Sequence, residues 1–368
     1  MKILLLTTHL NYGGITNYLI SLAKGLKKRG HHVSIASSGG EAEEVFSSYG
    51  INSINIPIHT KCEVSPKILL SLFALKKQLK NSDTDIIHAH TRVSQVLGKL
   101  LSTSLSCAYV TTCHGFFKNR FSRRIFPAWG KNVIAISKAV ADNLEKDFRL
   151  EKKNITVIHN GIEYDKFISL DNQAKIDIKN SLNLPKDGPV VAMVARLSEV
   201  KGHSFFIQAI PLILEKFPKS SFLIVGEGRL KLKLLEQVAK LKIDRSVFFI
   251  PTQADTSKVL AIVDSLVCPS LQEGLGLSIL EAQAAGVPVA AFAIGGIPSL
   301  IQHEKTGLLV KPFETTALAE AIIRILTDKE LQNSIIKEAK DNVRRKFNID
   351  KMVEDTLRVY SDAVSKNN

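Results

Sequence analysis

The chain has 368 residues, which is enough for two α/β domains. Hydrophobic residues make up 45% of it and aromatic residues only 7%, a balance that favours buried parallel strands over an aromatic-rich β-sandwich. Basic residues are concentrated in positions 1–170, where 23 Lys and Arg stand against 12 Asp and Glu, so this half suits an anionic substrate, an anionic lipid surface or nucleic acid.

The motifs exclude several classes of protein. The chain has no nucleic-acid-binding module and no arginine–aromatic pattern of an RNA-binding sheet, so nucleic acid is not an expected partner. No apolar run approaches the roughly 18 residues of a transmembrane helix, and the apolar start of the chain is too short for a signal peptide. The cysteines have neither metal nor redox spacing and are interpreted as reduced thiols of a cytoplasmic protein: Cys62, Cys107, Cys113 and Cys268.

The first elements form a β-loop-α-β unit. Lys2–Leu6 and His32–Ala36 are predicted strands. A loop over Thr7–Gly14 and then a helix that ends at Arg29 are predicted between them. The Gly13-Gly14 pair at its start favours either a close approach to a ligand or a tight turn that needs positive φ. The G-x-G-x-x-G fingerprint is absent and no acidic residue ends the second strand, so NAD and FAD are discounted as cofactors.

An amphipathic helix is predicted over Pro66–Lys80. We expect its apolar residues to pack on the sheet: Ile68, Leu69, Leu72, Phe73 and Leu79. The next predicted strand begins at Asp85 and places His88 and His90 on one face. Two histidines could bind a metal, but no third ligand is evident in the sequence, so the pair is interpreted as part of a polar loop.

A histidine and a basic, aromatic segment follow the predicted strand Ala108–Thr112. His114 stands beyond the carboxyl end of that strand, where side chains point into the ligand crevice of an open α/β sheet. A buried, hydrogen-bonded histidine is the alternative. Residues 116–126 then interleave four phenylalanines with the basic residues Lys118, Arg120, Arg123 and Arg124. This segment suits a membrane surface or an acceptor, and a loop packed on the core explains it equally well.

The second half follows an Asn160-Gly161 turn, where we place the interdomain linker. Val190–Val194 is a predicted strand, and Arg196 and Lys201 lie in the loop after it. Two cations there can hold a diphosphate, because Arg offers a planar fork and Lys a point charge. They would also stabilise the negative charge on a leaving diphosphate. A pair of solvated surface cations is the less favoured interpretation.

Residues 265–288 are the most informative stretch. A short predicted strand, Ser265–Cys268, leads through a glycine-bearing loop to a helix over Leu277–Ala285. The free amides and dipole of the helix start would bind an anion. Glu273 and Glu281 would instead accept hydrogen bonds from hydroxyls. Together these features indicate a sugar nucleotide, although glutamates also occur near helix starts because they suit the dipole.

The string Glu-Gly-Leu-Gly-Leu-Ser-Ile-Leu-Glu-Ala at 273–282 resembles the signature of glycosyltransferase family 4. The resemblance extends over nearly the whole chain, and further motifs occur in the family's order: Gly13-Gly14, His114-Gly115, the Asn160-Gly161 hinge, Arg196 with Lys201, and Gly226-Glu227-Gly228. The chain departs from the usual residues at four positions: Glu163 replaces Asp, Ala195 and Pro251 replace Gly, and Gln283 replaces Met.

The resemblance implies the GT-B fold, an α/β architecture of two Rossmann-like domains whose parallel sheets face a central cleft. The expected acceptor domain is 1–165, with a C-terminal helix in 351–368 that packs back on it. The expected sugar-nucleotide donor domain is 170–350.

The resemblance also implies residue roles. The expected catalytic residues are His114, Glu273, Arg196 and Lys201. The expected donor-binding residues are Gly13, Gly14, Arg196, Lys201, Gly226, Glu273, Gly274, Leu275, Gly276, Leu277 and Glu281. In this scheme the two cations bind the diphosphate, Glu281 binds the ribose hydroxyls and Glu273 binds the sugar hydroxyls. No metal and no cofactor are expected.

The implied activity is a retaining, metal-independent transfer of a sugar from a UDP- or GDP-linked donor to a glycan or lipid-linked acceptor. The expected context is cell-envelope polysaccharide or lipopolysaccharide biosynthesis, with the protein cytoplasmic or peripheral on the inner face of the membrane. One alternative is a sugar-nucleotide 2-epimerase of the same fold, which would need acidic residues at strand ends of the first domain. A non-catalytic sugar-nucleotide-binding protein is the other.

Overall fold

The structure, a computed structural model, describes residues 1–80, 82–117, 123, 126–167, 170–253 and 255–366. The chain divides into two compact units, one made of Met1–Gly161 with Ile349–Asn368 and the other of Ile162–Asn348. We call them the N-terminal and C-terminal units. Each has its own parallel sheet and hydrophobic core, which confirms the predicted α/β class with two Rossmann-like domains.

The described residues of the N-terminal unit form a seven-stranded sheet. Its strands are β1 (Lys2–Leu6), β2 (His32–Ser37), β3 (Asn52–Asn55), β4 (Ile86–Ala89), β5 (Ala108–Cys113), β6 (Val133–Ala135) and β7 (Ile155–Val157). The order is β3-β2-β1-β4-β5-β6-β7 and all pairs are parallel. Apolar runs such as that of β1 form its centre because helices cover both faces of a parallel sheet.

Helices follow most strands of this unit. They are α1 (Gly14–Lys28), α2 (Glu43–Ser48), α3 (Pro66–Leu79), α4 (Arg92–Leu105), α5 (Lys138–Phe148) and, from the end of the chain, Ile349–Ser365. The last helix packs on α1, where Val353 fills the space beside Gly25 and a Cβ at that glycine would overlap it. The amide of Gly161 also donates to Met352 Sδ at 3.2 Å. The C-terminal helix is therefore an integral part of the N-terminal unit.

The described residues of the C-terminal unit form a six-stranded sheet. Its strands are β8 (Val190–Val194), β9 (Ser221–Val225), β10 (Val247–Ile250), β11 (Ser265–Cys268), β12 (Val289–Phe292) and β13 (Leu308–Val310). The order is β10-β9-β8-β11-β12-β13, again with parallel pairs. Its helices are α6 (Asn172–Ser181), α7 (His203–Lys216), α8 (Lys231–Lys240), α9 (Ser257–Leu260), α10 (Leu277–Ala285), α11 (Thr315–Thr327) and α12 (Lys329–Lys346). In chain order the C-terminal helix is α13.

Two predicted helices differ from the structure. The apolar spacing predicts one helix over Ala317–Arg345. The structure has two helices there, because Asp328 ends α11 and caps α12 by accepting from the Leu331 amide at 2.9 Å. In α3 the expected apolar stripe is only half buried. Ile68 and Leu79 pack inward as predicted, but Leu69 and Phe73 are 53% and 67% exposed. No helix among the described residues is long and apolar enough to cross a membrane.

The strand order of each sheet reverses at one point. In the N-terminal unit this point lies between β1 and β4, and in the C-terminal unit between β8 and β11. Open α/β sheets bind ligands in the crevice outside the carboxyl ends of strands at such a switch point. The loops that follow these four strands are therefore the first places to look for a site in each unit.

Candidate active site

The loops after β8 and β11 bring a cation and a carboxylate together. Lys201 Nζ lies 2.6 Å from Glu273 Oε2, although the two residues are 72 positions apart. Their side chains are 23% and 13% exposed. Ser270 Oγ donates to the same carboxylate oxygen at 3.1 Å. The pair sits at the switch point of the sheet, so both predicted site residues meet where a ligand is expected.

Glycines hold the two loops against each other. Gly202 begins α7 in the left-handed region, with φ of 74°, and a Cβ there would overlap the carbonyl oxygen of Pro269. Gly296 donates its amide to the carbonyl of Glu273 at 2.9 Å, and a Cβ at Gly295 would overlap that same oxygen. These close backbone approaches leave no room for a side chain. The glycines therefore fix Lys201 and Glu273 at one position.

Arg196 and Gly226 lie in the loops that follow β8 and β9. Arg196 is exposed and makes no ion pair with the described residues, so its guanidinium is available to an anion. Gly226 has φ of 142°, and a Cβ there would overlap the carbonyl oxygen of Ala195. A Cβ at Gly228 would overlap that of Leu197 in the same way. These two positions therefore require glycine. The glycines allow the loop after β9 to pack directly against the backbone on either side of Arg196.

The start of α10 offers backbone donors next to Glu273. Gly276 precedes the helix with φ of 105°, and the first amides that bond back to its carbonyl are those of Ile279 and Leu280. The amides of Leu277 and Ser278 precede the first intrahelical hydrogen bonds of α10. They lie at the positive end of the helix dipole. Leu275 and Gly276 are buried under the loop, while Gly274 is partly accessible. This arrangement suits an anion at the helix start.

Glu281 lies one turn into α10, where its charge is disfavoured. Burial, together with the nearby Asp255, raises the pKa of its carboxyl to about 7. A hydrogen bond from Thr256 Oγ1 at 3.0 Å and the charge of Lys166 act in the opposite direction. A partly buried carboxyl that titrates near neutrality is a candidate ligand-binding group. Hydroxyl donors from a ligand would favour its ionised form.

Gly13 has no structural reason to be glycine. Its φ of 162° is extended backbone that any residue adopts, and a Cβ there would meet nothing within 4 Å. The tight turn with positive φ that the sequence allowed is therefore wrong for this residue. Gly13 and Gly14 are both exposed at the start of α1, in the loop after β1. Open space at the switch point favours the close approach of a ligand.

His114 belongs to a cluster of aromatic rings beyond β4 and β5. His114 Nε2 lies 3.2 Å from His90 Nδ1. Tyr18 packs edge-on against His114, with 4.8 Å between ring centroids, and the rings of His88 and His90 are 4.1 Å apart. Burial lowers the pKa of His114 to about 3. The histidine is therefore a neutral hydrogen-bonding group at neutral pH.

His88 anchors this cluster to the C-terminal helix. Its Nδ1 lies 2.7 Å from the hydroxyl of Tyr360 on α13, and its Nε2 lies 2.7 Å from Thr112 Oγ1. Both nitrogens are thus engaged, and burial holds the pKa of His88 well below its usual value. The polar-loop interpretation of the His88–His90 pair is replaced by a buried hydrogen-bonded cluster. Among the described residues, no group of three or more His, Cys, Asp or Glu is arranged to hold a metal ion.

The basic segment after His114 lies largely outside the described residues, which include neither Lys118, Arg120 nor Arg124. Arg123 is described, and its side chain is only 12% exposed because its Nε pairs with Glu63 Oε1 at 2.7 Å. Glu63 also pairs with Arg92 at 2.8 Å. The expectation that Arg123 offers its charge to a membrane surface is therefore wrong. The carboxylate of Glu63 already pairs with that guanidinium.

Sequence reasoning missed three contributors to these clusters. Ser270 and Thr256 each donate to one of the predicted glutamates, and His90 bonds to His114. Ser270 could have been found, since it stands directly after β11 in the motif. Thr256 and His90 reach their partners only through tertiary packing. Their local sequences carry no signal for these contacts.

Two parallel sheets of this order, with paired charges and a glycine-bearing helix start at the switch point, define a protein of the GT-B glycosyltransferase class. Comparison with known families agrees. The profile described as glycosyltransferase family 4 matches residues 12–166, and that described as glycosyl transferases group 1 matches residues 174–342. The chain therefore belongs to the glycosyltransferase family that these two profiles describe, and it is a glycosyltransferase.

Relatives match along most of their length. An uncharacterized glycosyltransferase of Methanocaldococcus jannaschii is 28% identical over 96% of this chain and 95% of its own. The UDP-Gal:α-D-GlcNAc-diphosphoundecaprenol α-1,3-galactosyltransferase of Escherichia coli is 30% identical over 81% and 80%. The crystal structure of Anabaena HepE in complex with UDP and glucose superposes with a TM-score of 0.87 at 22% identity, covering 98% of this chain and 100% of that one. This last likeness shows the fold.

Proposed function

We propose that the protein transfers a sugar, with retention of configuration and without a metal, from a nucleoside-diphosphate sugar to a lipid-linked or glycan acceptor. The observation that carries the proposal is the Lys201–Glu273 pair at the switch point, 2.6 Å apart. The exposed Arg196 lies in the same segment between β8 and α7 as Lys201. Cations suit the diphosphate of a sugar nucleotide, and carboxylates that accept hydrogen bonds suit the hydroxyls of its ribose and sugar. The 2-epimerase and the non-catalytic binder are the rivals.

A uridine nucleotide is the favoured donor. The E. coli relative is named for UDP-Gal, and the Anabaena structure holds UDP and glucose. In this chain Arg196 and Lys201 would hold the diphosphate, with the amides of Leu277 and Ser278 at the distal phosphate. Glu281 would accept from the ribose hydroxyls, and Glu273 from those of the sugar. Gly13 leaves space for the donor in the N-terminal unit.

Metal independence follows from the cations. A leaving diphosphate gains negative charge in the transition state, and preorganised donors in a partly dehydrated site stabilise it strongly. Lys201 is held in place by Glu273, so its ammonium would need little reorganisation. Two cations and the start of α10 could supply this stabilisation together. We therefore propose that no Mg²⁺ is needed and that no cofactor takes part.

Retention is favoured by the uncharged surroundings of His114. His114 contacts the rings of His90 and Tyr18, which are both buried and of which neither is a carboxylate. A 2-epimerase would need acid and base carboxylates in this unit, and the described residues of the cluster supply none. An oxygen of the leaving diphosphate would instead take the proton from the acceptor hydroxyl. Sugar transfer on the leaving-group face then preserves the configuration.

A lipid-linked acceptor and peripheral membrane contact are proposed on a different surface. The E. coli relative is named for a diphosphoundecaprenol acceptor. Leu70 of α3 is 58% exposed, next to the exposed Leu69 and Phe73, and the same face carries exposed Lys76 and Lys77. Apolar side chains beside lysines suit the interface of an anionic bilayer. A cytoplasmic protein of envelope polysaccharide or lipopolysaccharide synthesis would dock here.

The donor proposal is tested by thermal shift with UDP, GDP and their sugar conjugates, with EDTA or with Mg²⁺. We expect stabilisation by uridine species that is unchanged by EDTA and is reduced in Glu281→Ala. Incubation with an undecaprenyl-type acceptor should then yield an α-linked product from an α-linked donor. An inverted product, a strict need for Mg²⁺, or release of an epimerised sugar nucleotide without acceptor would each contradict one part of the proposal.

Membrane docking is tested by sedimentation with vesicles that contain phosphatidylglycerol. The triple variant Leu69→Ser, Leu70→Ser, Phe73→Ser should lose most binding. The matched control is Leu232→Ser with Leu235→Ser on α8, where the side chains are 76% and 40% exposed in the other unit. Equal binding by the wild type and the α3 variant would contradict docking through α3.

A further inference from the structure

The His90–His114 pair restricts where the protons of both rings can be. His90 is 2% exposed and its Nδ1 lies 3.2 Å from His114 Nε2. A hydrogen bond between two neutral imidazoles needs one N–H and one lone pair. The proton on one ring therefore determines the tautomer of the other.

Both rings are neutral at physiological pH. Burial lowers the pKa of His114 to about 3. Burial, with the nearby His88 and His114, holds the pKa of His90 well below its usual value. An imidazolium that would donate from both nitrogens is thus excluded at pH 7. Only the two neutral tautomer combinations remain.

The second nitrogen of His90 distinguishes these combinations. His90 Nε2 is buried and has no hydrogen-bond partner among the described residues. If the proton were on Nε2, an N–H donor would be buried unpaired. If it is on Nδ1, only a lone pair is unpaired, and orphaned donors are the rarer of the two in folded proteins. The arrangement therefore favours His90 Nδ1–H as the donor and His114 Nε2 as the acceptor.

We propose that His90 is a positioning residue that holds His114 in the tautomer with its proton on Nδ1. With Nε2 occupied, His114 can offer only a hydrogen-bond donor to the reacting sugar and cannot serve as a base through Nε2. This rests on the proposed function, since it takes His114 to lie at the donor sugar. It also agrees with a reaction in which the leaving diphosphate, and not a side chain, accepts the proton.

The tautomer is tested directly on the full chain by long-range ¹H–¹⁵N NMR after ¹⁵N-histidine labelling. The chain has 10 histidines, and the signals of His114 are identified by their loss in His114→Gln. We expect a protonated Nδ1 and an unprotonated Nε2 on His114 at pH 7. A proton on Nε2 would overturn the proposal. This measurement needs no substrate, so its result is independent of whether the donor proposal holds.

Two substitutions at His90 separate positioning from packing. His90→Asn places an amide N–H near the position of Nδ1, whereas His90→Phe keeps a ring but removes the donor. We expect His90→Phe to mix the tautomers of His114 and to lower kcat about 10- to 100-fold, the usual cost of removing a partner that orients a histidine, with little change in KM for the donor. His90→Asn should keep the wild-type tautomer and most of kcat. Equal kcat in the two variants would contradict a positioning role.

A neighbouring hydrogen bond provides the matched control. Tyr360→Phe removes the hydroxyl that lies 2.7 Å from His88 Nδ1 and leaves the His90–His114 bond intact. This variant should be less stable but should retain the His114 tautomer and kcat. If Tyr360→Phe and His90→Phe lower kcat equally, loss of cluster stability explains both, and the proposal fails. If the wild type neither binds nor turns over any donor while the tautomer is as expected, the donor proposal alone fails.

Discussion

The two units hold their polar groups in opposite ways. In the C-terminal unit, Lys201 and Glu273 form an ion pair and remain 23% and 13% exposed. In the N-terminal unit, His88 and His90 are almost fully buried, and burial lowers the pKa of each well below its usual value. One cluster consists of two oppositely charged groups that lie 2.6 Å apart. The other loses charge because burial disfavours the imidazolium.

This difference matches the chemistry proposed for each side of a sugar nucleotide. A diphosphate needs cations, and an ion pair keeps a cation in place without removing its charge. A sugar that reacts with an acceptor hydroxyl needs hydrogen bonds without a competing base. Neutral histidines provide them. We therefore expect the two clusters to respond differently to loss of charge, to backbone change and to pH.

The largest effect is expected from Lys201→Ala. It removes the cation that we propose binds the diphosphate and leaves the Glu273 carboxylate without its Lys201 partner. We expect kcat to fall by about 10²–10³-fold, as when one preorganised donor to a developing negative charge is lost. Initial rates of sugar transfer at saturating donor measure this. Lys216→Ala, at the exposed end of α7, is the control and should have the wild-type rate. A loss below about 10-fold would mean that Lys201 does not serve the leaving group.

The next largest effect is a loss of stability on substitution of Gly202, which follows Lys201 in the chain. Gly202→Ala would place a Cβ on the Pro269 carbonyl oxygen at a φ of 74°. We expect it to lower the free energy of unfolding by about 3 kcal/mol, from strain and overpacking together. Gly30 has a similar φ of 79° with nothing within 4 Å of its Cβ position, so Gly30→Ala should cost only about 1 kcal/mol. Urea unfolding compares the two, and equal losses would show that the contact with Pro269 is relaxed without cost.

The stability of the folded protein is expected to depend on pH through Glu281. Its carboxyl has a pKa raised to about 7 in the folded protein, against an ordinary value of 4.5. The unfolded chain therefore releases the proton first, and stability is lost as pH rises from about 4.5 to 7. Glu281→Gln has no carboxyl at this position and should not lose stability over this pH range. Its Tm should therefore exceed that of the wild type at pH 8 and approach it at pH 5.

Donor affinity should change with the same group in the opposite sense. Ribose hydroxyls donate better to the ionised carboxylate, so the wild type should bind a uridine donor about 10-fold more tightly at pH 8 than at pH 6. Calorimetric titration of Glu281→Gln should give weaker binding with little pH dependence. The same pH slope in both proteins would assign the titration to another group. Asp255 and Lys166, which also act on Glu281, would be the next to replace.

The smallest effect is expected in the neutral cluster. Tyr360→Phe removes one hydrogen bond to His88 and should lower the free energy of unfolding by about 1–2 kcal/mol. Thermal unfolding at pH 7 measures the change, and no charge is lost. A larger loss of activity than of stability would mean that the C-terminal helix also acts on the reaction.

Much of the fold could be predicted because its signals are local. Apolar runs ended by glycine or polar loops predicted the strands. The low aromatic content favoured buried parallel strands. The exposed positions of α3 were not predicted, since a stripe at helical spacing shows amphipathicity but not which side the sheet covers. The break at Asp328 was missed because the apolar period continues across it.

The motif residues after β8 and β11 could also be predicted, since each lies next to the strand end that places it. The local sequence places Lys201, Glu273 and Glu281 in loops and a helix start at the carboxyl ends of strands. Which of them pair depends on the packing, because the order β8-β11 and the glycine contacts between loops bring Lys201 and Glu273 together.

The same division applies to the N-terminal unit. The sequence determined that His88, His90 and His114 end neighbouring strands. Their contacts with one another and with Tyr360, 272 residues from His88, depend on the parallel register of β4 with β5 and on the return of α13. Burial, which sets the pKa and the tautomer of a histidine, is a property of that packing and not of the residues next to it in the chain.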